Sequence, residues 1–339
     1  MMISVPCCKK EGGAVATVEE AFRDSRCDAE QHMVACEQAG LRWNETSITE
    51  IVVSRAARGV TVVPFTQRAE ALSGADWVWW WVDAMGAYGM LVQAKRVTVT
   101  GTEWSFGFDY QSKHATRRQR ENLRSAAKSL DLLPVYALYL GSGVYRGWEP
   151  CCENHMNEGC YECIKRSVSL MPELLAEQLI VNDAVSTYER SVAIEDLWDS
   201  PQSESMLIPA LRPQLAPELA EFLNEEQDGT RAVARQMIDR VLRARAGVFG
   251  AAPTIAVNPP RSGEHDRLGP VFNDFPADTG HWGINYFDYT LAPLRHAPPS
   301  YVIDVMSGAI DVEHLASEMP ENVAGIVVVH LPQQRVNEK

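Results

Sequence analysis

The sequence predicts an α/β (α+β) fold with a helical, loop-rich C-terminal extension, and three observations predict it. Residues 47–140 run in the order helix, strand, strand, strand, helix, strand, the pattern of a compact unit in which helices pack on a sheet. Two of those strands, ADWVWWWV at 75–82 and MLVQAKRVTV at 90–99, flank a Gly-containing turn around Met85–Gly89 and read as a hairpin. Residues 249–300 are rich in Pro, Gly and Asn and read as long loops.

The elements follow in order. Residues 1–26 read as a loosely held arm carrying Cys7-Cys8, Lys9-Lys10 and a Gly pair, then a short helix-prone stretch. A helix is expected over 28–39, closed by Gly40, and a second over 47–58, closed by Gly59. Ser47-x-x-Glu50 opens the second as a capping box. VTVVPFT at 60–66 is β-branched and reads as a strand, followed by the hairpin. A long helix is expected over 112–130, then a short buried strand, PVYALYL at 134–140, ended by Gly141 and Gly143. A Cys-rich turn occupies 151–163, with helices expected near 171–182 and 216–247. YVIDVM at 301–306 and AGIVVVHL at 324–331 read as late strands that could extend the sheet. The expected division is an arm and helix over 1–43, a core over 44–170, and an extension over 171–339. No internal repeat or low-complexity tract is present.

With 339 residues, 46% of them hydrophobic and 22% charged, the chain has the composition of a globular protein with a sizeable core. Thirty-one Lys and Arg against 45 Asp and Glu give a net charge of −14, which excludes a generally basic nucleic-acid coating protein. No apolar run approaches the roughly 18 to 20 residues needed to cross a bilayer, so no membrane association is expected. The opening MMISVPCCKKEGG lacks an apolar secretory core, and a cytoplasmic location is the expectation. Eight cysteines are then expected as thiols or metal ligands rather than disulfides. The charge is unevenly spread: residues 95–128 hold eight cations, including Lys95, Arg96, Arg117 and Arg118, against three acids. Such a basic segment suits a phosphate-tracking surface, or a salt-bridged solvent face. Five arginines between Arg231 and Arg245 form a second basic run that reads as a plain surface helix.

The chemistry lies in the hairpin. Alternate residues of a strand share a face, so Asp76, Val78 and Trp80 point one way and Trp77, Trp79 and Trp81 the other. In the second arm Gln93, Lys95 and Val97 share a face, opposite Val92, Ala94 and Arg96. A carboxylate, an amide oxygen and an ammonium can therefore meet over one sheet face, an arrangement that holds a hard divalent cation and a phosphate together. Each residue also has a plainer role: Glu50 as a cap, Asp76 at the strand entrance, Lys95 as a solvated edge charge. The tryptophans read as core packing.

This arrangement resembles the PD-(D/E)XK nuclease superfamily, with its restriction-endonuclease-like core of a central mixed sheet flanked by helices. That pattern has an acid on a helix, an Asp on one strand and Glu-x-Lys, or sometimes Gln-x-Lys, on the next; here these are Glu50, Asp76 and Gln93-x-Lys95. The wording is similar to an uncharacterised bacterial family, a domain of unknown function, with Gly74-Ala75-Asp76-Trp77, Gln93-Ala94-Lys95-Arg96, Phe65-Thr66-Gln67-Arg68, and Arg118-Gln119 followed by Leu123. The resemblance covers roughly 44–166. It implies metal-dependent hydrolysis of DNA phosphodiesters by an endonuclease, with restriction or defence against phage as the setting the fold analogy suggests. Asp76 would hold Mg²⁺ or Mn²⁺ directly, Gln93 would offer its amide oxygen to the same ion or orient the attacking water, and Lys95 would act on that water or the phosphate. Glu50 would complete the site, with Gln119, Arg96, Arg117 and Arg118 supporting it or touching the DNA backbone. Gln in place of Glu removes one negative charge, which lowers metal affinity. A catalytically silent relative that binds nucleic acid or protein is the alternative.

Cys152, His155, Cys160 and Cys163 have spacings that could surround structural Zn²⁺ tetrahedrally. A zinc-stabilised interaction protein is therefore a third reading, against one in which Cys160 is a small core residue. Cys27, His32 and Cys36 read as helix side chains. Residues 171–339 leave open a DNA-reading role, a homo-oligomer interface or a site for a regulatory partner protein.

Overall fold

The computed structural model describes residues 16–65, 76–100, 103–108, 118–141, 165–177, 187, 190–198, 221–223, 228–248 and 290–331. Its centre is a mixed sheet. The first helix, α1 (Val18–Gln38), begins ten residues earlier than expected, inside the segment read as an arm. Thr17 and Glu20 form a reciprocal capping box there, and Ala21, Phe22 and Met33 are buried. Helix α2 (Glu45–Ala56) is capped by Asn44, whose Oδ1 accepts from the Ser47 amide at 2.8 Å. The expected Ser47–Glu50 box is therefore not the cap: the polar residue three positions before Ser47 takes that work.

Strands β1 (Thr61–Pro64), β2 (Asp76–Val82), β3 (Ala87–Thr100) and β4 (Glu103–Phe106) follow. Then come helix α3 (Gln119–Ser129), β5 (Leu133–Tyr139), β6 (Val168–Pro172) and β7 (Val192–Ala193). The sheet order is β1-β9-β2-β3-β5-β6-β7, where β9 is Val323–His330. Strand β4 and the two-residue β8 (Leu294–Arg295) pair with β3 off this path. β2 and β3 form the antiparallel hairpin, with Trp77 opposite Val92 and Trp81 opposite Tyr88. β3 and β5 run parallel across the α3 crossover, with Gln93 beside Tyr136 and Lys95 beside Leu138. β1 is an edge strand, where Pro64 is tolerated.

The late segments correct two expectations. Residues 301–306 are not a strand but part of helix α5 (Ser300–Ser307). Val302 and Val305 are buried while Ile303 and Asp304 are exposed, a helical period in a run too β-branched to reveal it. Pro299 opens this helix and Gly308, at φ +71°, closes it in the left-handed conformation. Of the helix expected near 171–182, residues 171–172 end β6 and Glu173–Glu177 form a 3₁₀ turn, while 178–182 lie outside the described residues. A second 3₁₀ turn (Ile194–Asp196), helix α4 (Gly229–Val248) and helix α6 (Val312–Glu318) are also described.

Because β9 lies between β1 and β2, and β6 lies beside β5, the sheet crosses the boundary expected at residue 170. A buried ionic cluster joins the same parts. Arg26 of α1 donates to Glu195 at 2.8 Å and to Glu30 at 3.2 Å, all three side chains being buried. Trp79 and Trp81 pack on Phe22 of α1, and Trp198 joins them at 5.9 Å from Trp81. The tryptophans thus cement one sheet face to α1, while Trp80, on the other face, donates to the Tyr301 hydroxyl of α5. Cys36 is a free thiol 3.6 Å from His32, one turn away. Cys27 is disulfide-bonded, contrary to the expectation of thiols or metal ligands. No helix among the described residues is long and apolar enough to cross a membrane.

Candidate active site

Asp76 opens β2, and the hairpin register carries Gln93 and Lys95 to the same face. All three side chains are buried. Gln93 Nε2 donates to Asp76 Oδ1 at 2.8 Å. A second amide, Asn322 Nδ2, donates to Oδ2 at 2.5 Å, and the Asn322 carbonyl accepts from the Asp76 amide at 2.9 Å. Asn322 sits just before β9, where the pairing with β2 slips: Asp76 faces Val323 but Trp77 faces Gly325. This bulge aims Asp76 at the site while leaving Trp77 and its successors in register with β9. Sequence reasoning missed Asn322. Its only signal is a turn-forming Asn directly before an apolar strand, which does not reveal which strand it will meet.

Burial is the main influence on Asp76 and pushes its carboxyl up to about 7, against the two amide donors and the charge of Lys95, which favour ionisation. Lys95 Nζ donates to Gln119 Oε1 at 2.6 Å and to the Gly107 carbonyl at 3.2 Å, and lies 5.8 Å from the Tyr136 ring centroid. Gln119 is the first residue of α3, so the crossover helix delivers its amide to the lysine. The Glu121 carboxylate accepts from the Arg118 amide and fixes that first turn. On the same helix, Arg120 and Arg124, one turn apart, flank the fully buried Glu173 carboxylate, at 3.6 and 2.7 Å. Helix α3 is thereby tethered to the turn after β6.

Asp76, Gln93, Lys95 and Gln119 come together; the other expected members do not join them. Glu50 is exposed on α2. That helix meets the sheet through its neighbours: Thr49 shares a hydrogen bond of 2.8 Å with the Tyr139 hydroxyl, and Glu45 accepts from the Arg96 amide at 3.1 Å. Tyr139 and Arg96 are register partners on the face opposite Lys95, so the acid of α2 serves the wrong face for the site. The Arg96 guanidinium donates to the Trp43 carbonyl at 2.9 Å and is likewise turned away. Arg118 is exposed at the start of α3, and Arg117 lies outside the described residues. So do Cys152, His155, Cys160 and Cys163, the expected zinc ligands. Among the described residues no group of three or more His, Cys, Asp or Glu is placed to hold a metal ion.

The donor set on the described face is therefore one carboxylate and one amide. With Gln93 Nε2 turned to Asp76, Gln93 Oε1 is buried and has no hydrogen-bond partner among the described residues. A hard oxygen beside a carboxylate fits Mg²⁺ or Mn²⁺ as a minimal pair, since such ions keep several waters and take further oxygens from substrate phosphates. A family model described as a family of unknown function (DUF6615) matches residues 18–329. No curated protein and no solved structure matches the chain.

Proposed function

The chain belongs to this family of unknown function, and we propose from the site itself that it is a metal-dependent endonuclease of the PD-(D/E)XK type, cleaving phosphodiester bonds in DNA. The observation that carries the reading is the convergence of Asp76, Gln93 and Lys95 on one sheet face, with Gln119 delivered by the crossover helix. Asp76 would hold Mg²⁺ or Mn²⁺, which supplies Lewis-acid stabilisation of phosphoryl charge when bound, and Gln93 Oε1 would meet either that ion or a water beside it. Lys95, which donates to Gln119 and the Gly107 carbonyl, would put an N–H donor and a positive charge at a phosphate oxygen. Asn322 fixes the Asp76 carboxylate, so the ligand arrives preorganised. A restriction-endonuclease-like core belongs to the same proposal, and so does a role in restriction or defence.

A second reading has its own observation. Both Asp76 oxygens already accept an N–H from this chain, and Gln stands where the superfamily pattern has Glu. That arrangement is self-sufficient without a cation, as a silent binding module would have it. Plasmid nicking separates the two. The nuclease reading expects relaxed circles with Mg²⁺ or Mn²⁺ and none with a chelator. Retention of DNA in a gel shift without cleavage under either metal selects the silent module.

A further inference from the structure

Gln93 is not alone in carrying a buried oxygen without a partner. The Tyr136 phenol oxygen and Ser169 Oγ are in the same state among the described residues, and both side chains are fully buried. The register sets all three on one face. Gln93 lies beside Tyr136 across β3 and β5, while Lys95 lies beside Leu138 and Leu138 opposite Ser169. This is the face that carries Asp76 and Lys95. Tyr136 is held in place by Phe108, with ring centroids 4.9 Å apart, and by Lys95 over its ring. Burial pushes its phenol well above 10, and the carboxylates of Glu173 and Asp76 push the same way, so it stays protonated.

Native proteins rarely leave such atoms unpaired, and an internal water making about three hydrogen bonds is the usual means of satisfying them. Resting on the nuclease reading, we propose that Tyr136 is a further working residue of this site: its phenol and Gln93 Oε1 together hold an ordered water beside Asp76. The chemistry of the two atoms selects the ligand. An amide oxygen only accepts, so what meets it must bring a proton or a positive charge; a phenol both gives and takes. A bare phosphate oxygen satisfies only the phenol. Water satisfies both, whether free or in the hydration shell of a divalent cation. Ser169 extends the same polar row by one strand.

Tyr136→Phe removes the hydroxyl and keeps the ring. Two measurements test the proposal, one of them independent of activity. A crystal structure of the wild type should show a water within hydrogen-bond distance of both Gln93 Oε1 and the phenol, and that of Tyr136→Phe should lack it. If the two oxygens prove to be satisfied by protein atoms, the proposal is overturned. In metal-dependent plasmid cleavage, kcat should fall about 10-fold or more with KM and melting temperature unchanged. Undiminished kcat in a folded Tyr136→Phe overturns the working role even if the water is seen. Absence of cleavage by the wild type overturns the nuclease reading instead, and the water is then decided by the two structures alone.

Discussion

Asp76 concentrates the energetics of the site in one carboxyl group. Its folded-state value of about 7 stands above the ordinary 3.8, so between those values the folded chain binds more protons than the unfolded one. Stability contributed by this group is complete below about pH 4 and is lost as the pH rises through 7, by on the order of 4 kcal/mol at most. In metal-free buffer, urea midpoints of the wild type should therefore fall from pH 5 to pH 8 relative to those of Asp76→Asn, which lacks the titration. A gap between the two that does not change with pH contradicts the assignment. A divalent cation at 100 times its dissociation constant should restore about 2.7 kcal/mol to the wild type at pH 8. Asn322 is the complementary test. Asn322→Ala strips one donor from a buried carboxylate and should cost about 1 to 3 kcal/mol, read from denaturant midpoints at pH 8.

At the scale of elements, α3 and β9 position the site, and they differed in how legible they were. The hairpin faces could be read directly, because a two-residue period puts Asp76, Gln93 and Lys95 on one side whatever surrounds them. Gln119 was legible as a residue but not as a partner of Lys95, since that contact depends on where the crossover helix lands. Its landing is set by Glu173, held between Arg120 and Arg124 across about fifty residues of chain. Glu173→Ala leaves two guanidinium groups facing a buried gap and should cost about 3 to 5 kcal/mol in a urea melt. A loss within experimental error would show that α3 does not rely on this tether. Glu50 differs for a related reason: Ser47-x-x-Glu50 imitates a cap, but the helix is capped by Asn44 and presents Glu45, not Glu50, to the sheet.

Taken whole, the sheet runs across the division expected at residue 170. AGIVVVHL reads as a late strand, yet nothing in its sequence says that it inserts between β1 and β2, with Gly325 against the Trp77 ring and the Val63 carbonyl. A Cβ at Gly325 would lie 2.7 Å from that carbonyl oxygen, so the glycine is a condition of the close approach. Chain order hides such pairing because the partners are about 250 residues apart, and only the closed sheet brings Asn322 to Asp76. A fragment ending at residue 170 loses β9, β6's outer neighbour and the Glu173 tether together. It should show no cooperative thermal transition by circular dichroism, and a sharp transition would contradict the single-sheet account. The charge of −14 is likewise an average, with the cations of 95–128 gathered on and around the segment that builds the site. The most direct test of the central claim compares metal-dependent plasmid cleavage by two folded variants. Lys95→Ala should lower the rate by about 100-fold or more, while Glu50→Ala, exposed on the helix of the opposite face, should leave it at the wild-type value; equal rates for Lys95→Ala and the wild type would contradict the account.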